Sequence, residues 1–249
     1  MTSKAKLIRK ELNAPDEFQV QGTTWLQWAL THKAKILGLV VALLAVVAGL
    51  WAWRHFSKRG DTVAAEAFAA AADTMRRPVK GDQNLGADEE DEDRKPFDDT
   101  KLRAKASLEK LEALQQKHGS SKIAQFAQLH VGNQHMALGE SDKAIAAYEK
   151  FLASKPTHAY FIALGHENLG LAHEARKEYD KAIAQFEKLA GGKILAERGF
   201  FHQGRILQTQ GNIAKAKEAF QKAVDKAKEL KIDWFAQDVE ARMGLLDLE

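Results

Sequence analysis

The sequence contains no cysteine and only four prolines among its 249 residues. Without cysteine the chain has no disulfides, no thiolate metal ligands and no cysteine nucleophile. Scarce proline, together with abundant Ala, Leu, Lys, Glu and Gln, argues against a barrel or sandwich of short strands and favours helices. The apolar fraction of 45% excludes a wholly disordered chain.

Net positive charge is confined to the first quarter of the chain. Residues 1–59 have a net charge of +6, whereas residues 60–249 have a net charge of −3. Nucleic-acid-binding domains have a basic stripe or patch, often interleaved with aromatic residues, and the acidic body lacks one. We therefore expect a basic tail at 1–35 and no nucleic-acid partner.

Charge is absent from the 18 residues Ile36–Trp53, which read ILGLVVALLAVVAGLWAW. As a helix this segment measures about 27 Å, close to the hydrocarbon thickness of a bilayer. Trp25 and Trp28 before it, and Trp51 and Trp53 at its end, suit the two water interfaces. Some 35 residues precede it and no small-x-small cleavage site follows, which favours an uncleaved transmembrane helix at 36–54 over a signal peptide. A buried core helix is the other alternative.

The basic residues of the tail set the expected orientation in the membrane. Lys4, Lys6, Arg9 and Lys10 favour a cytoplasmic N-terminus. The body at 60–249 then lies outside the cytoplasm. In a bacterium this is a single-pass inner-membrane protein with a periplasmic C-terminal domain.

Three windows of the body align with one another: Leu129–Pro156, Asn168–Ala190 and His202–Val224. Their equivalent positions are separated by 38 and then 34 residues. These positions are Gly132, Gly170 and Gly204, then Ala144, Ala182 and Ala216, then Tyr148, Phe186 and Phe220. A 34-residue period with small, small and aromatic positions resembles the tetratricopeptide repeat (TPR). The resemblance implies three helical hairpins at 120–230, each with a helix A whose glycine lets helix B approach, and an aromatic in helix B that fills the gap towards the next repeat.

Helical patterns also flank the repeats. Thr62–Met75 and Lys101–His118 predict a degenerate hairpin at 60–118, interrupted by a disordered acidic insertion at 80–99 with six consecutive acids. Trp234–Leu248 predicts a capping helix within 234–249. The predicted fold is all-α: one N-terminal transmembrane helix followed by an α-solenoid of TPR hairpins with a C-terminal cap.

Groups for catalysis or metal binding are sparse. His166 and His173, and His130 and His135, form only loose pairs, whereas catalytic zinc usually needs three converging ligands. His135 and His173 stand where the repeat usually has a tyrosine, which favours a packing role. There is no phosphate-binding loop and no Gly-x-Ser-x-Gly elbow. We expect neither an enzyme nor a cofactor or metal, with a histidine-based metal protein or enzyme as the alternative.

With catalysis and metal binding disfavoured, the remaining candidate for a functional site is a binding surface. In TPR arrays the A helices line the concave side. The register of the resemblance places seven residues in that groove: Asn133, Met136, Glu167, Glu174, Phe201, Arg205 and Gln208. Their mixed character suits an extended peptide or protein segment. The chain lacks the Lys/Arg clamp of TPR domains that bind acidic chaperone tails.

The whole layout, with its Trp51-Ala52-Trp53-Arg54 patch at the end of the anchor, resembles the bacterial YfgM-like family of ancillary Sec translocon subunits. The resemblance implies a periplasmic TPR domain beside the translocon, with translocon subunits, periplasmic chaperones and emerging proteins as partners. The acidic insertion and the longer tail depart from the family pattern, which leaves the specific partner open. A structural scaffold subunit of another envelope assembly complex is the alternative.

Overall fold

The computed structural model of the chain describes residues 31–81 and 95–246, without the side chains of residues 34, 36, 37, 39–41 and 52–60. The basic tail up to residue 30 and the run of acids at 88–93 lie outside the described residues. The chain divides into two compact units, Met1–Lys58 and Arg59–Glu249. Each unit is described by itself below.

The described residues form nine α-helices and no strand beyond an isolated bridge between Val79 and Phe97. The helices are α1 (Lys33–Arg76), α2 (Thr100–His118), α3 (Lys122–Ala137), α4 (Ser141–Ala153), α5 (Ala159–Ala175), α6 (Tyr179–Ala190), α7 (Ala196–Thr209), α8 (Ile213–Glu229) and α9 (Asp233–Leu245). The predicted all-helical class is confirmed.

Helix α1 contains the predicted membrane segment. Ten consecutive apolar residues, 42–51, are all exposed, with Leu43 64% and Trp51 68% accessible. Within the described part of the chain, none of the helices combines the length and the apolar character that crossing a membrane requires. Helix α1 continues past the apolar segment to Arg76, and no proline lies within it or before Pro78 on its C-terminal side.

In the second unit the end of α1 and α2 form the first hairpin. Ala64 and Ala71 of α1 are fully buried against Leu111 and Leu114 of α2. Three further hairpins follow as α3/α4, α5/α6 and α7/α8, and each helix packs on the next in chain order. Helix α9 packs on α8 at the end of the array, through buried Val239 among others.

The recurring glycines and aromatics of the repeats meet within each hairpin. A Cβ atom added to Gly170 would lie 2.5 Å from the ring of Phe186, and one on Gly204 would lie 2.6 Å from the ring of Phe220. Gly132 faces Tyr148 in the same way. Only glycine permits this approach, as the repeat pattern predicts. Each aromatic ring therefore packs against the glycine of its own repeat.

The turns within the hairpins share one backbone conformation. Gly139 and Gly211 have φ values of 78° and 76°, in the left-handed region that suits glycine. The second repeat has Lys177 at this place, with φ of 61°. A residue with a side chain costs about 1–2 kcal/mol in this region. Lys177 therefore raises the local free energy, but the turn keeps the same backbone conformation as in the other repeats.

The ends of the predicted disordered insertion at 80–99 are ordered, which corrects that prediction in part. The backbone N–H of Lys80 donates to the carbonyl of Phe97 over 2.8 Å, and that of Phe97 donates to the carbonyl of Pro78 over 3.0 Å. The guanidinium of Arg77 lies 4.6 Å from the centre of the Phe97 ring. These contacts join the two ends of the segment 82–94.

Candidate functional site

The A helices α3, α5 and α7, together with α9, contact one another through their side chains. Asn168 on α5 donates to Asn133 on α3 over 3.0 Å. The rings of Phe201 on α7 and Phe235 on α9 are 5.7 Å apart. We call the surface formed by these four helices the A-helix face.

Glu167 is the most buried charged residue of this face. Only 2% of its surface is exposed, and its Oε1 lies 2.6 Å from Nη2 of Arg198 and 2.9 Å from Nε2 of His202. A buried carboxylate requires such partners, because an unpaired charge in a low-dielectric interior is costly. Glu167 therefore joins α5 to α7.

His202 and Arg205 extend the contacts along α7. Nη2 of Arg205 lies 2.7 Å from Glu174 Oε2 and 3.3 Å from His202 Nδ1. Because a guanidinium can only donate, His202 Nδ1 accepts, and its Nε2–H donates to Glu167. His202 therefore links Glu167 to Arg205 through its two ring nitrogens.

Helix α9 is joined to α7 by a separate polar contact near its C-terminal end. Arg242 donates to Oε1 of Gln208 from Nη2 over 3.0 Å and from Nε over 3.3 Å. Its guanidinium also lies 5.8 Å from the centre of the Phe201 ring. We call the seven polar residues that join α5, α7 and α9 the polar ladder: Glu167, Glu174, Arg198, His202, Arg205, Gln208 and Arg242.

The seven predicted groove residues all lie on helices of the A-helix face, but their environments differ. The prediction that Glu167 faces a ligand is corrected, because its side chain is buried and paired with Arg198 and His202. Asn133 accepts hydrogen bonds from Tyr148 over 2.8 Å and from Asn168. Met136 packs in the core around Tyr148. The other four are half-buried: Glu174, Phe201, Arg205 and Gln208.

Three members of the polar ladder were not predicted from the sequence. Arg198 and His202 precede Arg205 by seven and three residues on the same helix, which places the three side chains on one face of α7. That spacing is a signal that the sequence already carried. Arg242 could not be found this way, because its contact with Gln208 depends on how α9 packs.

A cleft of about 470 Å³ opens between α7 and α9 on the A-helix face. Its lining residues are Leu195, Glu197, Arg198, Phe201, His202, Ile232, Trp234, Phe235 and Asp238. Trp234 at its edge is 71% exposed. Apolar walls with a few charged groups are typical of sites that bind side chains or small molecules.

A second recurring feature lies at the turns between helices A and B. Nδ1 of His135 lies 2.7 Å from Glu140, and Nδ1 of His173 lies 2.8 Å from Glu178. Both histidines are buried, as the predicted packing role requires. The hydrogen bond from the histidine is the main cause that lowers the pKa of each glutamate below its usual range. These pairs hold the turn, and the sequence interpretation missed them.

The histidines of the predicted pairs each contact other side chains. Nδ1 of His166 lies 3.0 Å from Oε1 of Gln185, while His173 bonds to Glu178. Burial lowers the pKa of His166 and also that of His130. Within residues 31–81 and 95–246, no group of three or more His, Asp or Glu side chains is placed to hold a metal ion.

Comparison with known protein families identifies a match over most of the chain. Residues 26–243 match the tetratricopeptide repeat-like domain. No curated protein matches the sequence significantly. Since the matched region covers well over half of the 249 residues, the chain belongs to the tetratricopeptide repeat-like domain family.

Proposed function

We propose that the chain is a membrane-anchored adaptor that binds protein segments on its A-helix face. TPR-like domains generally mediate binding to proteins. The observation that carries the proposal is the A-helix face itself, on which Glu174, Arg205 and Gln208 remain partly accessible across two successive repeats. Polar groups in this arrangement can exchange hydrogen bonds with an extended peptide. The proposed role is binding and not catalysis.

The A-helix face is tested by capturing partners with full-length chain in mild detergent and identifying them by mass spectrometry. Arg205→Ala should reduce the yield of captured proteins, because it removes a donor from the accessible part of the polar ladder. Lys222→Ala, at an exposed position of α8, is the matched control. If both variants capture the same proteins in the same amounts as wild type, the A-helix face is not the binding surface.

The anchor is the second part of the proposal. The 18 uncharged residues 36–53 have the length of a bilayer span. The exposure of residues 42–51 leaves a continuous apolar surface on α1, and such surfaces are typically covered by a partner or by lipid. The family match begins at residue 26, so the segment belongs to the matched region. We infer that lipid covers it.

Membrane insertion is tested with an arginine in the middle of the apolar run. Val46→Arg should move the chain from the carbonate-resistant membrane fraction to the soluble or aggregated fraction, because a charge at the centre of a span costs about 2.5–3.5 kcal/mol. Val63→Arg is the matched control, since Val63 is also an exposed valine of α1 but lies outside the apolar run. Equal extraction of wild type and Val46→Arg would contradict the anchor.

The proposed location is the bacterial inner membrane, with the TPR-like unit in the periplasm beside the Sec translocon. The layout that resembles the YfgM-like family and the basic tail support this part of the proposal. Protease added to spheroplasts should digest a tag at the C-terminus and spare one at the N-terminus. Captured translocon subunits or periplasmic chaperones would support this location, whereas cytoplasmic partners alone would contradict it.

A further inference from the structure

The cleft between α7 and α9 has an exposed aromatic edge. Trp234 is 71% exposed, and its ring makes an edge-to-face contact with Phe235 at 5.7 Å. Phe235 in turn contacts Phe201, so the three rings form a continuous aromatic wall. Tryptophan is enriched among the residues that carry binding energy at protein interfaces, because it buries a large rigid surface. The wall fits an apolar side chain.

The lining of the cleft has a net negative charge, because its arginine is neutralised by an ion pair. Arg198 lines the cleft, but Glu167 neutralises it at 2.6 Å. Glu197 is only 3% exposed, and its Oε2 has no hydrogen-bond partner among the described residues. Asp238 adds an exposed carboxylate at the edge. Two carboxylates therefore remain for a ligand.

The buried Glu197 is the most unusual of these groups. A buried polar group without a hydrogen bond costs free energy, and a charged one costs more. Its position in the first turn of α7 offsets part of that cost, since the positive end of the helix dipole favours an anion. A cation in the cleft would offset more of it. The structure therefore places a carboxylate oxygen without a hydrogen-bond partner among the described residues beside an apolar wall.

We propose that this cleft binds an extended polypeptide segment in which a large apolar side chain adjoins a lysine or arginine. The apolar side chain packs on Trp234 and Phe235, and the cation faces Glu197 and Asp238. The inference rests on the proposed adaptor function and specifies the partner chemistry at one end of the A-helix face. It predicts discrimination against acidic segments.

The test uses full-length chain in mild detergent and three fluorescein-labelled ten-residue peptides of Gly and Ser with a central pair. The pairs are Phe-Lys, Phe-Glu and Ala-Lys, and fluorescence anisotropy measures the dissociation constants. Phe-Lys should bind about tenfold or more tightly than either of the others, since it alone uses both the wall and the carboxylates. Equal affinity for all three peptides would overturn the proposal.

Variants assign the effect to the cleft. Trp234→Ala and Glu197→Gln should each weaken Phe-Lys binding severalfold, and Asp238→Lys should shift the preference towards Phe-Glu. Glu218→Gln, an exposed carboxylate of α8, should leave all three affinities unchanged. The charge reversal at Asp238 keeps the test valid if Glu197→Gln fails to fold, because Asp238 is exposed. An unchanged preference in Trp234→Ala and Asp238→Lys overturns the assignment.

Failure of this inference is distinguishable from failure of the adaptor proposal. If full-length chain captures proteins but shows no Phe-Lys preference, the cleft inference is wrong and the adaptor proposal stands. If the peptides bind as predicted but no protein is captured from cells, the cleft is supported and the adaptor proposal fails.

Discussion

The contact between Gly170 and Phe186 allows a quantitative test of how the repeats are held together. An added Cβ would lie 2.5, 2.7 and 2.9 Å from three carbons of the Phe186 ring, whereas carbon atoms pack favourably at about 3.5–4.0 Å. The ring would therefore have to move by about 1 Å. It is fully buried and stacks on His202 at a centroid distance of 4.7 Å, so the displacement is transmitted to the next repeat.

Two opposing terms set the size of the effect. Overpacking a core costs about 1–3 kcal/mol. Replacing glycine by alanine inside a helix returns up to about 1 kcal/mol. Gly170→Ala should therefore lower the unfolding free energy by up to about 2 kcal/mol, and Gly170→Leu by about 3 kcal/mol, because its further carbons also need space.

The assay is thermal unfolding of full-length chain in mild detergent, followed by circular dichroism at the helical band. Gly244→Ala is the matched control, since a Cβ there meets no atom within 4 Å. It should leave the midpoint unchanged or raise it. Opposite shifts for the two alanine substitutions would confirm the contact, and an unchanged or higher midpoint for Gly170→Leu would refute the repeat register.

Three further predictions concern backbone packing and pH. Gly199→Ala should lower the midpoint more than Gly170→Ala, because its Cβ would lie 2.5 Å from the backbone nitrogen of Ala190, which cannot rotate away. Glu178→Gln should destabilise the chain near neutral pH, and the difference should vanish in acid: its lowered pKa gives stability above the usual glutamate range that is lost as the pH falls. His130→Phe should flatten the loss of stability on acidification through about pH 6.5, because burial lowers the pKa of His130 and favours its neutral form.

The two pH predictions each have a control variant at an exposed position. Glu187→Gln, at an exposed carboxylate of α6, is the control for Glu178→Gln. His158→Gln, at an exposed histidine, is the control for His130→Phe. A pH profile of His130→Phe that parallels wild type, or a Glu178→Gln difference that persists in acid, would contradict the titration arguments.

The repeats could be predicted from the sequence because their signal is local. The glycine, alanine and aromatic positions recur at fixed spacing, and the contact between Gly204 and Phe220 is the physical reason for that spacing. Continuous α1 was less predictable, since a change from apolar to mixed composition near residue 54 favours a boundary that the backbone does not have.

The binding face was harder to predict because it depends on distances between helices. Helical periodicity places Glu167 on the A-helix face, but it does not say how closely α7 approaches, and the approach of Arg198 and His202 buries it. Likewise the turn hydrogen bond between His173 and Glu178 joins residues five apart, a separation that neither helix nor strand periodicity brings together.

The histidine–glutamate turn pairs and the polar ladder stabilise different parts of the array. The turn pairs, such as His173 with Glu178, act within one hairpin, whereas the third repeat has Leu207 and Asn212 at these positions. Its helix α7 is instead tied to its neighbours through charged groups of the polar ladder. Because each repeat of such an array contacts only its neighbours, weakening the ladder with salt should loosen the C-terminal hairpins before the others. The cleft at Trp234 lies in that part of the array, so a segment that fills it would also hold α9 in place.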